Sequence, residues 1–414
     1  MRTFLLLLIG LSATLPANAS FVLHNKSEHL TKPYVILVSI DGYRYDYTDK
    51  FKTKNLRKFR NRGTSAEGLV PVFPSKTFPN HYSIATGLYA SSHGIVANKF
   101  YAPDIDRTFR LSDRTTVEDG RFYGGLPLWS AAAKAGMVSA VYFWPGSEAE
   151  IAGYRPSRYY RYNRDTPDSV RVDQILEWLR LPESQRPHLL CLYFNRVDGA
   201  GHTYGTGSKE LKEAVAIVDE QIGRLIEGVK ESGLAANIII VSDHGMLDVR
   251  YDDPIYLDDI ADFKGSDLIE YSQFALIYPE NDAHRERIFS ELTRNPKHFI
   301  VHRTSASAES LHFGNNPRIG QLFVEAEPPY ILALRSKEND KTKRTASHGY
   351  DPEKSPEMNG IFYAQGPDIP KKMRIPAFKN IHVYPFVLRL LGLEIPPNID
   401  GRLDVLSPLL EKKE

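Results

Sequence analysis

The chain has 414 residues, of which 42% are hydrophobic and 25% charged, close to the average for soluble globular proteins, which argues against disorder, collagen or a chain-long coiled coil. Lys and Arg total 52 against 51 acidic residues, a formal net charge of +1, and that balance does not support a strongly basic nucleic-acid binder. One cysteine, Cys191, excludes an intramolecular disulfide framework and any multi-cysteine zinc module.

Arg2, the short apolar run 4–11 and Ala17-Asn18-Ala19 read as a signal peptide over residues 1–19, cleaved after Ala19. The run is too short to span a bilayer, and no later stretch approaches the roughly 18 apolar residues a span requires. The mature protein is therefore expected to be exported, periplasmic or secreted. Export without disulfides suits a bacterial periplasm better.

Residues 20–414 read as a single α/β domain, with apolar strand-like runs alternating with amphipathic segments. The pattern predicts strands at 34–40, 138–144, 189–194, 237–241, 330–334 and 361–364, and helices at 54–62, 126–135, 170–181, 208–232 and 381–391. Cys191 lies inside the third strand as a small core residue. Residues 250–340 mix charge, proline and short apolar runs, and are expected to form a smaller inserted subdomain or lid.

Asp41, Asp198 and Asp243-His244 each follow the C-terminal end of an apolar strand, the edge at which open α/β sheets gather ligands. Carboxylates brought together there repel one another unless a cation sits between them. Asp198-Gly199-Ala200-Gly201-His202 reads as an Asp-x-x-x-His in a glycine-rich turn, and His348 lies in a later loop. Carboxylate plus imidazole is a ligand set for zinc and its neighbours. Asp41, Asp198, His202, Asp243, His244 and His348 are therefore candidate ligands for two metals. A hydroxyl nucleophile is expected within residues 72–81, where Ser75 and Thr77 are equally good on composition. Either would stand near a helix N-terminus, whose dipole favours negative charge.

Ile40-Asp41-Gly42, the run from Phe73 to Tyr82, Thr86-Gly87-Leu88-Tyr89, His93-Gly94-Ile95-Val96, Phe143-Trp144-Pro145-Gly146-Ser147, Asp198-x-x-Gly201-His202 and Ser242-Asp243-His244-Gly245-Met246 stand in this order. Together they resemble the nucleotide pyrophosphatase/phosphodiesterase family (type I phosphodiesterases) of the alkaline phosphatase superfamily. The resemblance is close over residues 33–250 and looser beyond. It implies an alkaline-phosphatase-like fold, with a central mostly parallel sheet flanked by helices, and a two-zinc phosphodiesterase.

Residue by residue, Thr77 matches the family nucleophile. Asp41, Asp243 and His244 match the ligands of the zinc that also holds the Thr77 oxygen. Asp198, His202 and His348 match those of the second zinc, and Asn98 matches a donor to a non-bridging phosphate oxygen. Phe78, Tyr162 and Tyr193 occupy the places of aromatics that stack a nucleobase, with Trp144 and Glu148 beside them. A nucleotide is thus favoured as the small-molecule substrate over a choline lipid headgroup; another phosphatase of the superfamily is a further alternative. A neutral Asn98 suits a diester rather than a doubly charged monoester, unless Lys76 or Arg44 reaches the phosphate.

Overall fold

A computed structural model describes residues 21–305, 308–336 and 344–410; the expected leader lies outside them. The strands that build the fold are β1 (Tyr34–Ile40), β2 (Thr64–Ala66), β3 (Ser139–Tyr142), β4 (Arg158–Tyr160), β5 (Leu189–Phe194), β6 (Ala236–Val241), β7 (Ser266–Tyr271), β8 (Phe274–Pro279), β9 (Phe299–Arg303), β10 (Leu322–Ala326), β11 (Phe362–Gln365) and β12 (Met373–Ile375). The principal helices are α1 (Asn55–Arg62), α2 (Thr77–Thr86), α3 (Leu128–Ala135), α4 (Asp168–Leu179), α5 (Arg196–Tyr204), α6 (Lys209–Glu231), α7 (Asp282–Thr293) and α8 (Val383–Leu390).

An eight-stranded sheet carries the order β12-β2-β11-β6-β1-β5-β3-β4. Strand β11 runs antiparallel to both of its neighbours, and the other adjacent pairs are parallel. The central strands are buried along their whole length, and apolar but for Ser39 and Asn237, because both faces are covered. Their side chains still alternate. Val35 and Leu37 of β1, Leu189 and Cys191 of β5, and Ile239 and Val241 of β6 enter one core with α2, α3 and α8. Ile36, Val38 and Ile40, Leu190 and Leu192, and Ile238 and Ile240 enter the other, with α1, α4 and α6. Each fully buried Val, Leu or Ile contributes roughly 1.5–3 kcal/mol, and parallel pairing sets one register across β1, β5 and β3. In that register Cys191 lies between Leu37 and Val141 and has no exposed surface.

Residues 266–326 carry a separate four-stranded antiparallel sheet, β7-β8-β10-β9. One face, with Ala275, Ile277, Leu322 and Val324, packs against Ile288 and Leu292 of α7. The other face joins the main body. Phe274 and Phe323 meet Phe73 with ring centroids 5.9 and 6.0 Å apart, just ahead of the segment that holds Ser75 and Thr77.

Three local expectations are corrected. The strand expected over 138–144 stops at Tyr142, because the chain turns at Phe143, whose φ is 62°. The strand expected over 330–334 is reduced to Leu332–Ala333. Asp198 and His202 lie on helix α5 rather than in a turn. A side chain at Gly201 would run into Met246, so close packing, not flexibility, accounts for that glycine.

Candidate active site

Strand β1 delivers Asp41, and Gly42 turns the chain with φ 68°. A Cβ on Gly42 would lie 2.9 Å from the Asp198 Cα, so the absent side chain is what lets the end of β1 and the start of α5 approach. The Gly42 N–H donates to Asp243 Oδ1 at 3.2 Å. Helix α5 presents Asp198 and His202 one turn apart, with His202 Nε2 3.2 Å from Asp198 Oδ1. His244 Nε2 lies 3.3 Å from Asp41 Oδ1 and 3.0 Å from Asp243 Oδ2. His348 Nε2 lies 3.1 Å from His202 Nε2 and 3.5 Å from Asp198 Oδ1. All six sequence-predicted ligands therefore converge.

The donor chemistry fits divalent cations. His202, His244 and His348 each place Nδ1 within 2.8, 2.8 and 2.7 Å of a backbone carbonyl, of Ala346, Gly245 and Ser75 respectively. That contact puts the proton on Nδ1 and turns the Nε2 lone pair inward, the arrangement metal-binding imidazoles use. Asp41 Oδ1, Asp198 Oδ1 and Asp243 Oδ2 are buried and accept no hydrogen bond. Buried carboxylate oxygens without donors are costly, and a cation among them removes the cost. The ligand atoms fall into three overlapping groups, each within 4.8 Å: Asp198, His202 and His348; Asp41, Asp198 and His244; and Asp41, His81 and Asp243.

The electrostatics agree. Burial, then the neighbouring Asp243 and Asp198, pushes the Asp41 carboxyl well above its ordinary range. Burial also opposes ionisation of Asp243, but His244 and His81 outweigh it and hold that carboxyl low. Burial, reinforced by His244 and His202, drives His348 far below the usual imidazole range, whereas burial at His244 is outweighed by Asp243, which raises that imidazole.

The two candidate hydroxyls separate. Ser75 is fully buried; its Oγ donates to the Tyr350 carbonyl at 2.7 Å and accepts from the Gly349 N–H at 3.0 Å. The Thr77 Oγ1, on the first residue of α2, lies 3.4 Å from His244 Nε2. Asn80 holds the segment in place, donating through Nδ2 to the Pro74 and Lys76 carbonyls at 2.9 Å each and accepting from the Val72 N–H at 2.7 Å. Asn98 Oδ1 accepts the Phe78 N–H at 3.0 Å, which leaves its amide NH2 group as a donor. Lys76 is turned to Gln273 at 2.6 Å, and Arg44 is paired with Asp46 at 2.6 Å.

The aromatic candidates divide. Phe78 is half-buried against Phe109, and Tyr162 keeps 36% of its surface exposed. Tyr193 is buried, and its hydroxyl donates to Asp41 Oδ2 at 2.5 Å. Trp144 is 2% exposed, and its indole N–H donates to the His81 carbonyl at 3.0 Å, so it supports α2 from within rather than lining an open pocket. Glu148 is likewise buried, beneath the Tyr162 segment rather than on a pocket wall. His81, to which the sequence reading gives no role, sits between Thr77 and Asp243: its Nδ1 lies 2.9 Å from the Thr77 carbonyl and 3.2 Å from Asp243 Oδ2. The signal was its spacing of four residues from Thr77, one helical turn.

A central sheet with carboxylates and imidazoles gathered at its carboxyl edge, beside a hydroxyl at a helix start, defines an alkaline-phosphatase-like α/β hydrolase. The family model described as type I phosphodiesterase/nucleotide pyrophosphatase matches residues 35–351, and the chain belongs to that family. Venom phosphodiesterase 2 of Crotalus adamanteus is 36% identical over 391 residues, 91% of this chain and 47% of its own. Human ectonucleotide pyrophosphatase/phosphodiesterase family member 1 is 35% identical over 392 residues, 92% of this chain and 42% of its own. The chain thus spans about half the length of the curated relatives it matches. Among solved structures, murine ectonucleotide pyrophosphatase/phosphodiesterase 5, in an inactive threonine-to-alanine variant in complex with AMP, is 30% identical with a TM-score of 0.85, covering 92% of this chain and all of its own.

Proposed function

We propose that this chain is an exported two-zinc phosphodiesterase and nucleotide pyrophosphatase that cleaves phosphodiester or phosphoanhydride bonds of nucleotides through a covalent phospho-threonine at Thr77. The observation that carries the reading is the convergence of Asp41, Asp198, His202, Asp243, His244 and His348, each imidazole with Nδ1 anchored, beside the Thr77 hydroxyl. When bound, cations held by these ligands supply positive charge that activates oxygen nucleophiles and offsets charge in the transition state.

The rest falls to the chain. Thr77 attacks phosphorus in line, its oxygen favoured as an anion at the start of α2. The ester or anhydride oxygen departs, and water then cleaves the phospho-threonine. The Asn98 amide donates to a non-bridging oxygen. Lys76 and Arg44 are engaged elsewhere, while the Arg344 guanidinium lies 3.1 Å from His202 Nε2, so the preference for a diester over a more highly charged monoester rests on the neutral Asn98. Phe78 and Tyr162 offer faces for the base. The AMP complex and the inactivating threonine substitution of the murine relative support both the nucleotide and the threonine. The venom and ecto-enzyme names of the relatives support export.

The test is hydrolysis of the p-nitrophenyl ester of thymidine 5′-monophosphate against p-nitrophenyl phosphate and p-nitrophenyl phosphocholine, with zinc-loaded and chelated protein. Chelator-sensitive turnover led by the thymidine diester is expected. Preference for the phosphocholine ester would move the pocket to lipid headgroups, and preference for the monoester would reduce the assignment to superfamily level.

A further inference from the structure

Tyr162 is the most exposed aromatic at the site, yet it belongs to no strand or helix; β4 ends two residues earlier, at Tyr160. An unpaired segment of this kind needs partners for its backbone groups, and here they come from two charged side chains. Glu148, 7% exposed, accepts the Tyr162 N–H on Oε1 at 3.0 Å and the Arg114 guanidinium on Oε2 at 2.8 Å. The same guanidinium donates to the Tyr162 carbonyl at 3.1 Å. Both backbone groups of one residue are thus held by one ion pair. The ring then stands edge-on to Phe143 at 5.3 Å and to Tyr193 at 6.0 Å, and Tyr193 reaches Asp41. A carboxylate buried under a loop is costly unless paired and hydrogen-bonded. This one is both: its two partners are the Tyr162 N–H and Arg114, whose guanidinium also pairs with Glu118 at 3.2 Å.

We propose that Glu148 and Arg114 are positioning residues that clamp the Tyr162 backbone and thereby set the ring as the wall that selects for a nucleobase. The inference rests on the nucleotide reading above. Its prediction is a split between substrates and between kinetic constants, because a clamp on the base wall acts on binding of the base and not on the reacting phosphorus.

The experiment compares the p-nitrophenyl ester of thymidine 5′-monophosphate with methyl p-nitrophenyl phosphate, which has no base. Glu148→Ala and Arg114→Ala should each raise KM for the thymidine ester at least about fivefold, with kcat and all constants for the methyl ester held within about twofold. Arg114 is half exposed, so its variant keeps the test decisive if Glu148→Ala does not fold. In a Tyr162→Ala background, either change should add nothing further, since the ring it positions is gone. Equal losses on both esters, additive losses in the Tyr162→Ala background, or an unchanged KM in both single variants would overturn the clamp. If Tyr162→Ala itself leaves the thymidine ester unaffected, Tyr162 is no base wall and the clamp falls while the nucleotide reading stands on the parent enzyme's substrate preference; if it raises KM while the clamp variants do not, only the clamp falls.

Discussion

Thr77 and Ser75 stand two positions apart, and only their partners tell them apart. Ser75 spends its hydroxyl on Tyr350 and Gly349, whereas Thr77 faces His244. Thr77→Ala should abolish turnover, by at least about a thousandfold, and leave most zinc bound, because the imidazoles and carboxylates are untouched; turnover and metal analysis on the same preparation check it, and full activity would remove Thr77 as nucleophile. Asp198→Asn should instead lower zinc content after dialysis. His93 gives a prediction about stability. It is fully buried, accepts the Ile95 N–H and contacts Ser83, and burial pushes it down to about 3 from an ordinary 6.5. The unfolded chain binds this proton below 6.5 and the folded chain does not until about 3, so stability is lost as pH falls through that window. The slope is up to about 1.4 kcal/mol per pH unit. Urea midpoints between pH 7 and 4.5 should fall less steeply for His93→Gln than for the parent; identical slopes would contradict this.

At the scale of elements, the site depends on strand ends that come very close. Gly42→Ala places a Cβ against the Asp198 backbone in a left-handed conformation, which costs roughly 1–2 kcal/mol before any displacement. The expected outcome is a lower denaturant midpoint together with at least about a tenfold loss of activity; an active, equally stable variant would show that the β1 and α5 ends have room to separate. Much of this layout was legible in the sequence. The central strands are continuous apolar runs and α6 has a clean helical period, so propensity, burial and pattern agree. Residues 266–326 were not legible, because β7 and β9 are only partly buried and carry little alternation. Helix α5 was misread because Gly199 and Gly201 lower helix propensity, a preference that packing against Met246 overrides. The resemblance puts Trp144 beside the base, and only its burial and its hydrogen bond to the His81 carbonyl reveal the supporting role.

For the whole molecule, the unpartnered carboxylate oxygens predict that any metal held among them is linked to the fold. Asp41, Asp198 and Asp243 come from separate parts of the chain, and without cations their repulsion acts between β1, α5 and the end of β6. Chelated protein should melt roughly 5–10 °C below the zinc-loaded form and recover on adding zinc. Calorimetry on verified metal-free protein checks this, and an unchanged melting temperature would mean that the sheet edge is held by packing alone.

Cys191 sits at the middle of that sheet, sealed between Leu37 and Val141, and burial pushes its thiol well up. No small reagent can label it while the strands are paired. The protein therefore carries its own reporter of rare global opening: the rate at which a chromogenic disulfide is consumed counts the moments when the central strands part. For the same reason, a cysteine introduced on the rim of the site could be tagged selectively in the native enzyme, with no need to remove the natural one.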